Sequence, residues 1–159
     1  MLIKKVRNLL VWLFFILIAF LIPKPKGKRK IVDWREVEAL LRHAFGNDCI
    51  LFLVDGKYKI PSLESIKAFL TEDKTDLFTY IPEWLDCDDF SFRLMGNFSV
   101  PGWSDIAFGI ATSMVHAYNC LIAEDNGEMK VYLVEPQTDE VIPIEKIRDK
   151  AYKTIFVMM

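Results

Sequence analysis

The first apolar stretch of the chain is unbroken, running for 14 residues from Leu9 to Ile22. Lys4, Lys5 and Arg7 precede it, and Lys24, Lys26, Lys28, Arg29 and Lys30 follow. A bilayer-spanning helix needs about 20 apolar residues, and flanking basic side chains can snorkel to extend a shorter one. Bulky Phe20, Leu21 and Ile22 leave no small-residue cleavage site of a secretory signal. The pattern predicts an uncleaved N-terminal transmembrane helix over residues 1–23, a basic linker over 24–30 that contacts lipid headgroups, and one domain over 31–159. More positive charge follows the span than precedes it, so the expectation is a single-pass membrane protein with a cytoplasmic domain.

Past the linker the periodicity becomes that of a folded domain. Asp33 and Glu36 form a capping-box pattern ahead of the stripe Val37, Leu40, Leu41 and Ala44, so a helix is expected to end near Gly46. Cys49 to Val54 reads as a buried strand, turned at Asp55-Gly56 into Lys57–Ile60. Ser62 caps a second helix carrying Leu63, Ile66, Phe69 and Leu70. A third starts at Asp86-Cys87 and runs to about Met95, with Phe90 and Leu94 on the face of Cys87. Strands follow over Ala107–Met114 and Val115–Glu124, then a hairpin at Asn126-Gly127 returns through Met129–Glu135. Ile144–Asp149 is a short helix, and Tyr152–Met158 a last strand. Helices first and mostly antiparallel strands afterwards predict an α+β fold, its helical N-terminal part packed on an antiparallel sheet.

Charge and cysteine usage narrow the classes. Residues 1–30 hold eight basic residues and no acids, whereas residues 31–159 hold 12 basic against 22 acidic ones. The domain is thus acidic and excludes nucleic acid as a partner. Three cysteines without Cys-x-x-Cys spacing exclude a disulfide framework and a structural zinc site.

Candidate chemistry centres on Cys87. A thiol at a helix start meets free backbone N–H groups and the positive end of the dipole, which favours thiolate. The neighbouring Asp86, Asp88 and Asp89 oppose this, because nearby anions raise a thiol's pKa. The two-residue Asn126-Gly127 loop puts Ile122 opposite Val131, Cys120 opposite Leu133, Tyr118 opposite Glu135 and His116 opposite Gln137. His116 and Glu135 become diagonal neighbours on one face. Glu135 can then hold one imidazole nitrogen and leave the other for a thiol, with Gln137 as the alternative orienter. Pro136 interrupts pairing just past Glu135, so the strands splay there.

The runs WLDCDDF, HAYN and VYLVEPQT resemble the protease domain at the C-terminus of the Marasmius oreades agglutinin and its relatives, over residues 80–140. That resemblance implies a papain-like fold with Cys87 as nucleophile, His116 as base and Glu135 as orienter. The papain pattern's oxyanion Gln is absent, and Trp84 or the Cys87 backbone N–H would take its place. Calcium dependence is implied as well, and a cation held by Asp86, Asp88 or Asp89 would cancel their effect on the thiolate. The function expected is a membrane-anchored cysteine hydrolase (a thiol protease) acting on peptide or protein. The alternative is a catalytically silent papain-like fold used as a binding or assembly module.

Overall fold

The structure is a computed structural model that describes the backbone of residues 2–21 and 29–159, with side chains at 4–13 and from 29 onward. The expected linker over 24–30 falls outside the described residues except for its last two. Those two belong to the domain: Arg29 donates to the Gly102 carbonyl at 2.6 Å, and Lys30 pairs with Glu36 at 2.6 Å.

Helix α1 (Leu2–Leu21) covers the N-terminal apolar run and leaves Leu9, Leu10 and Trp12 more than half exposed. Among the described residues no helix is long and apolar enough to cross a membrane. The transmembrane anchor and the single-pass localisation are therefore corrected. The 14-residue apolar run is shorter than the bilayer needs.

Strand β1 (Lys30–Asp33) leads into α2 (Trp34–Phe45), whose cap Asp33 accepts the Arg35 N–H at 3.0 Å. Val37 and Leu41 of α2 are buried, and Gly46 ends the helix at φ +87°, where a side chain would be strained. Next come β2 (Ile50–Phe52) and β3 (Lys57–Ile60), then α3 (Leu63–Glu72), capped by Ser62. Helix α4 (Cys87–Phe98) begins with a reciprocal capping box between Asp86 and Asp89 and buries Phe90, Leu94 and Phe98. After it run β4 (Phe108–Thr112), β5 (Ala117–Asp125), β6 (Glu128–Glu135), β7 (Glu140–Pro143) and β8 (Phe156–Met158).

Six strands form one sheet in the order β2-β8-β4-β5-β6-β7, while β1 and β3 pair separately. The expected 49–60 hairpin does not form. Strand β2 instead lies parallel to β8, with Leu51 opposite Val157, and β3 turns to β1. The sheet is mixed rather than antiparallel. Gly109 permits this arrangement, because a Cβ there would overlap the Met158 carbonyl.

Helices cover both faces of the sheet. Tyr118, Cys120, Ile122, Val131 and Leu133 pack with Val37 and Leu41 of α2 on one side. Leu121, Ala123, Tyr132 and Val134 pack with Ile66, Phe69, Leu94 and Phe98 of α3 and α4 on the other. Burial of β5 on both faces from Ala117 to Ala123 follows from that sandwich. An α+β arrangement with an N-terminal helical part is thus corrected to a mixed α/β fold around a central sheet.

Candidate functional site

Three elements converge at the start of β5. Cys87 is the first residue of α4, free and half-buried. Its Sγ accepts the backbone N–H of Ala117 at 3.4 Å, so the thiol sits against the residue that follows His116. The tight turn Ser113–His116 delivers His116: the Ser113 hydroxyl accepts the His116 N–H at 3.0 Å. Glu135 ends β6, where its Oε2 lies 2.8 Å from His116 Nε2. Glu135 is buried, with only 9% of its surface exposed.

The β5–β6 register explains this meeting. Pairing runs from Asp125 opposite Glu128 to Asn119 opposite Val134 and then stops. Beyond it Glu135 turns to Glu140 of β7, so the strands part where His116 and Glu135 reach across. With Nε2 engaged by Glu135, Nδ1 is the ring nitrogen left for a thiol. Gln137 lies in the β6–β7 turn and forms no hydrogen bond with His116 among the described residues. Trp84 stands 84% exposed on the loop before Cys87, its backbone N–H donated to Ile81 at 3.1 Å.

The acidic neighbours of the thiol are tied into local hydrogen bonds. Asp89 accepts the Asp86 N–H at 3.2 Å, and Asp86 accepts the Glu83 N–H at 3.2 Å. A side-chain hydrogen bond with Asp86, then desolvation, raises Asp88 above its ordinary value. Asp86, Cys87 and Asp88 each present one ligand atom within 4.8 Å of the others, and Asp89 stands apart. Calcium takes six to eight oxygens. Asp86 and Asp88 of the expected set would supply two of them, while Asp89 accepts the Asp86 N–H.

One contributor was missed. Tyr152, on a short 3₁₀ turn (Lys150–Tyr152), donates its hydroxyl to Glu135 Oε2 at 3.0 Å and packs edge-on against His116. No spacing rule ties residue 152 to residue 135; only the path of the chain over the sheet does so. Tyr152 also walls a cavity of about 470 Å³, which Phe45, Cys49 and Ile147 line and which Cys87 does not touch. The other two thiols are of a different kind: burial pushes Cys49 up, and pushes Cys120 far up.

No protein-family model matches the chain, and no curated protein does. Solved structures do. PSL1a, the Polyporus squamosus lectin, in complex with E64 is 22% identical over 81% of this chain and 51% of its own, with a TM-score of 0.67. The same lectin bound to the human-type influenza-binding epitope Neu5Acα2-6Galβ1-4GlcNAc is 21% identical over 81% of this chain and 49% of its own, with a TM-score of 0.63. The fold is shared with about half of that lectin chain.

These neighbours overturn the expectation of a papain-like, membrane-anchored cysteine peptidase. The expectations of hydrolysis, of a thiol protease and of a transmembrane segment go with it, because the matching chains are those of a lectin and no described helix is long and apolar enough to span a membrane. The partner one of them displays is a glycan, not a peptide or a membrane. The chain spans about half the length of the structures it matches, so the likeness carries the fold.

Proposed function

We propose that Cys87, His116 and Glu135 form a thiol site that captures a ligand bearing an electrophilic carbon. The observation that carries this is the 2.8 Å contact of His116 Nε2 with Glu135 Oε2, beside a thiol already held by the Ala117 N–H. The thiol proton passes to His116 Nδ1, and Glu135 stabilises the resulting imidazolium. With iodoacetamide, the Sγ–C bond forms as C–I breaks, iodide leaves and the proton stays on His116. PSL1a, solved with E64, makes that compound the ligand to try first. The test is the rate of adduct formation by intact mass at neutral pH, against glutathione and the Cys87→Ala variant. A rate at least tenfold above glutathione is expected; a rate no greater sinks the reading.

A second reading, glycan binding, is favoured by the lectin neighbour bound to Neu5Acα2-6Galβ1-4GlcNAc. Calorimetric titration with that trisaccharide decides it. Binding that survives Cys87→Ala would place the glycan away from the thiol, and no heat at millimolar ligand would remove glycan recognition from this half of the fold.

A further inference from the structure

Glu135 Oε2 is shared by two donors, His116 Nε2 at 2.8 Å and the Tyr152 hydroxyl at 3.0 Å. The Tyr152 ring meets the His116 ring at 5.4 Å and 80°, an edge-on contact. We propose that Tyr152 is a positioning residue for the thiol site: its hydroxyl fixes the carboxylate of Glu135 and its ring fixes the imidazole of His116. The inference rests on the thiol reading above.

A glutamate held by a single hydrogen bond can turn about its last side-chain torsion and carry the bond with it. A second donor arriving from another element removes that freedom. Tyr152 is itself anchored, since its carbonyl accepts the Tyr118 hydroxyl at 3.1 Å and its ring packs on Tyr118 at 5.0 Å. Asp149 caps the turn that carries it, accepting the Ala151 N–H at 2.9 Å. Burial, then the charges of Glu135, Glu140 and Asp149, push the Tyr152 hydroxyl up to about 12, so it remains a donor across the neutral range. The Tyr118 hydroxyl, bonded to Thr154, adds no charge to the group.

The experiment combines iodoacetamide kinetics at Cys87 with NMR of the His116 ring, which is tractable because the chain has two histidines. Tyr152→Phe keeps the ring and removes the hydroxyl. It is expected to slow alkylation by about three- to tenfold, as the loss of one hydrogen bond does, and to speed solvent exchange of the Nε2 proton. Tyr132→Phe is the control, because it removes a buried tyrosine hydroxyl from the cluster on the other face of the sheet. It should leave both readouts as in the wild type. In a Glu135→Ala background, which leaves no acceptor for the hydroxyl, Tyr152→Phe should add nothing. Wild-type kinetics and an unchanged His116 signal in Tyr152→Phe would overturn the inference, as would an equal loss in Tyr132→Phe. Should Tyr152→Phe not fold, 3-fluorotyrosine placed at residue 152 keeps the hydroxyl and strengthens it as a donor. The Nε2 signal must then move, and a still signal overturns the role. A wild-type Cys87 no faster than glutathione overturns the thiol reading and this inference together. A fast wild type with an indifferent Tyr152→Phe overturns only the inference.

Discussion

Replacing Glu135 by Gln probes what the buried carboxylate contributes to Cys87. The substitution keeps the shape and a hydrogen-bond acceptor while removing the charge. In the native site, Oε2 accepts from His116 at 2.8 Å and from Tyr152 at 3.0 Å, and the residue is 9% exposed. A charge-assisted hydrogen bond at such a site is worth about 1.5–3 kcal/mol. If that energy stabilises the imidazolium formed when Cys87 ionises, the alkylation rate at neutral pH should fall about ten- to a hundredfold. Pseudo-first-order labelling with iodoacetamide measures it, with circular dichroism to confirm the fold. Gln137→Ala should stay at the wild-type rate, because Gln137 does not bond His116. A Glu135→Gln rate within twofold of wild type, or a larger loss in Gln137→Ala, refutes the role given to the carboxylate.

Three other predictions concern the fold and its pH dependence. Leu94→Ala empties a fully buried position between α4 and the sheet and should cost about 2–5 kcal/mol in urea unfolding. Gly109→Ala forces a Cβ into the Met158 carbonyl and should cost about 1–3 kcal/mol, with faster amide exchange in β8 than elsewhere in the sheet. Burial, then Asp76 and Asp73, push Asp139 up to about 6 from 3.8. A carboxyl raised by folding contributes stability present below about pH 4 and lost as pH rises through about 6. Discounted for its partial solvent access, that loss is about 1 kcal/mol. Asp139→Asn, which also suits φ +58°, should flatten the melting temperature across that window, and a curve as steep as wild type would contradict the assignment.

Much of the site was legible because its signals are local. Asn126-Gly127 sets the turn, and alternation along 116–122 and 131–135 sets the register, which the structure follows as far as Asn119 opposite Val134. The capping residues of α2, α3 and α4 were likewise visible, each an Asp or Ser ahead of an apolar stripe. What escaped depends on distant chain segments meeting. Cys49–Val54 is apolar enough to pair with any strand, so nothing local says that β8 rather than β3 is its neighbour. Two-sided burial of β5 came from α2 and α4 closing on opposite faces, which periodicity alone does not distinguish from a one-sided sheet. The N-terminal run shows the opposite failure: fourteen apolar residues with basic flanks looked like an anchor but fall short of a membrane's thickness. Tyr152 joins Glu135 only through the path of residues 136–152 around the sheet edge, and no motif marks it.

Competition among the three thiols of the folded protein tests the central claim most directly. Substoichiometric iodoacetamide at neutral pH, followed by peptide mapping, reports which cysteine reacts first. The half-buried Cys87, with the Ala117 N–H at 3.4 Å, should carry nearly all of the label, while Cys49 and Cys120, raised by burial, stay unmodified until the protein unfolds. Label spread evenly over the three, or concentrated at Cys49 or Cys120, would contradict the account.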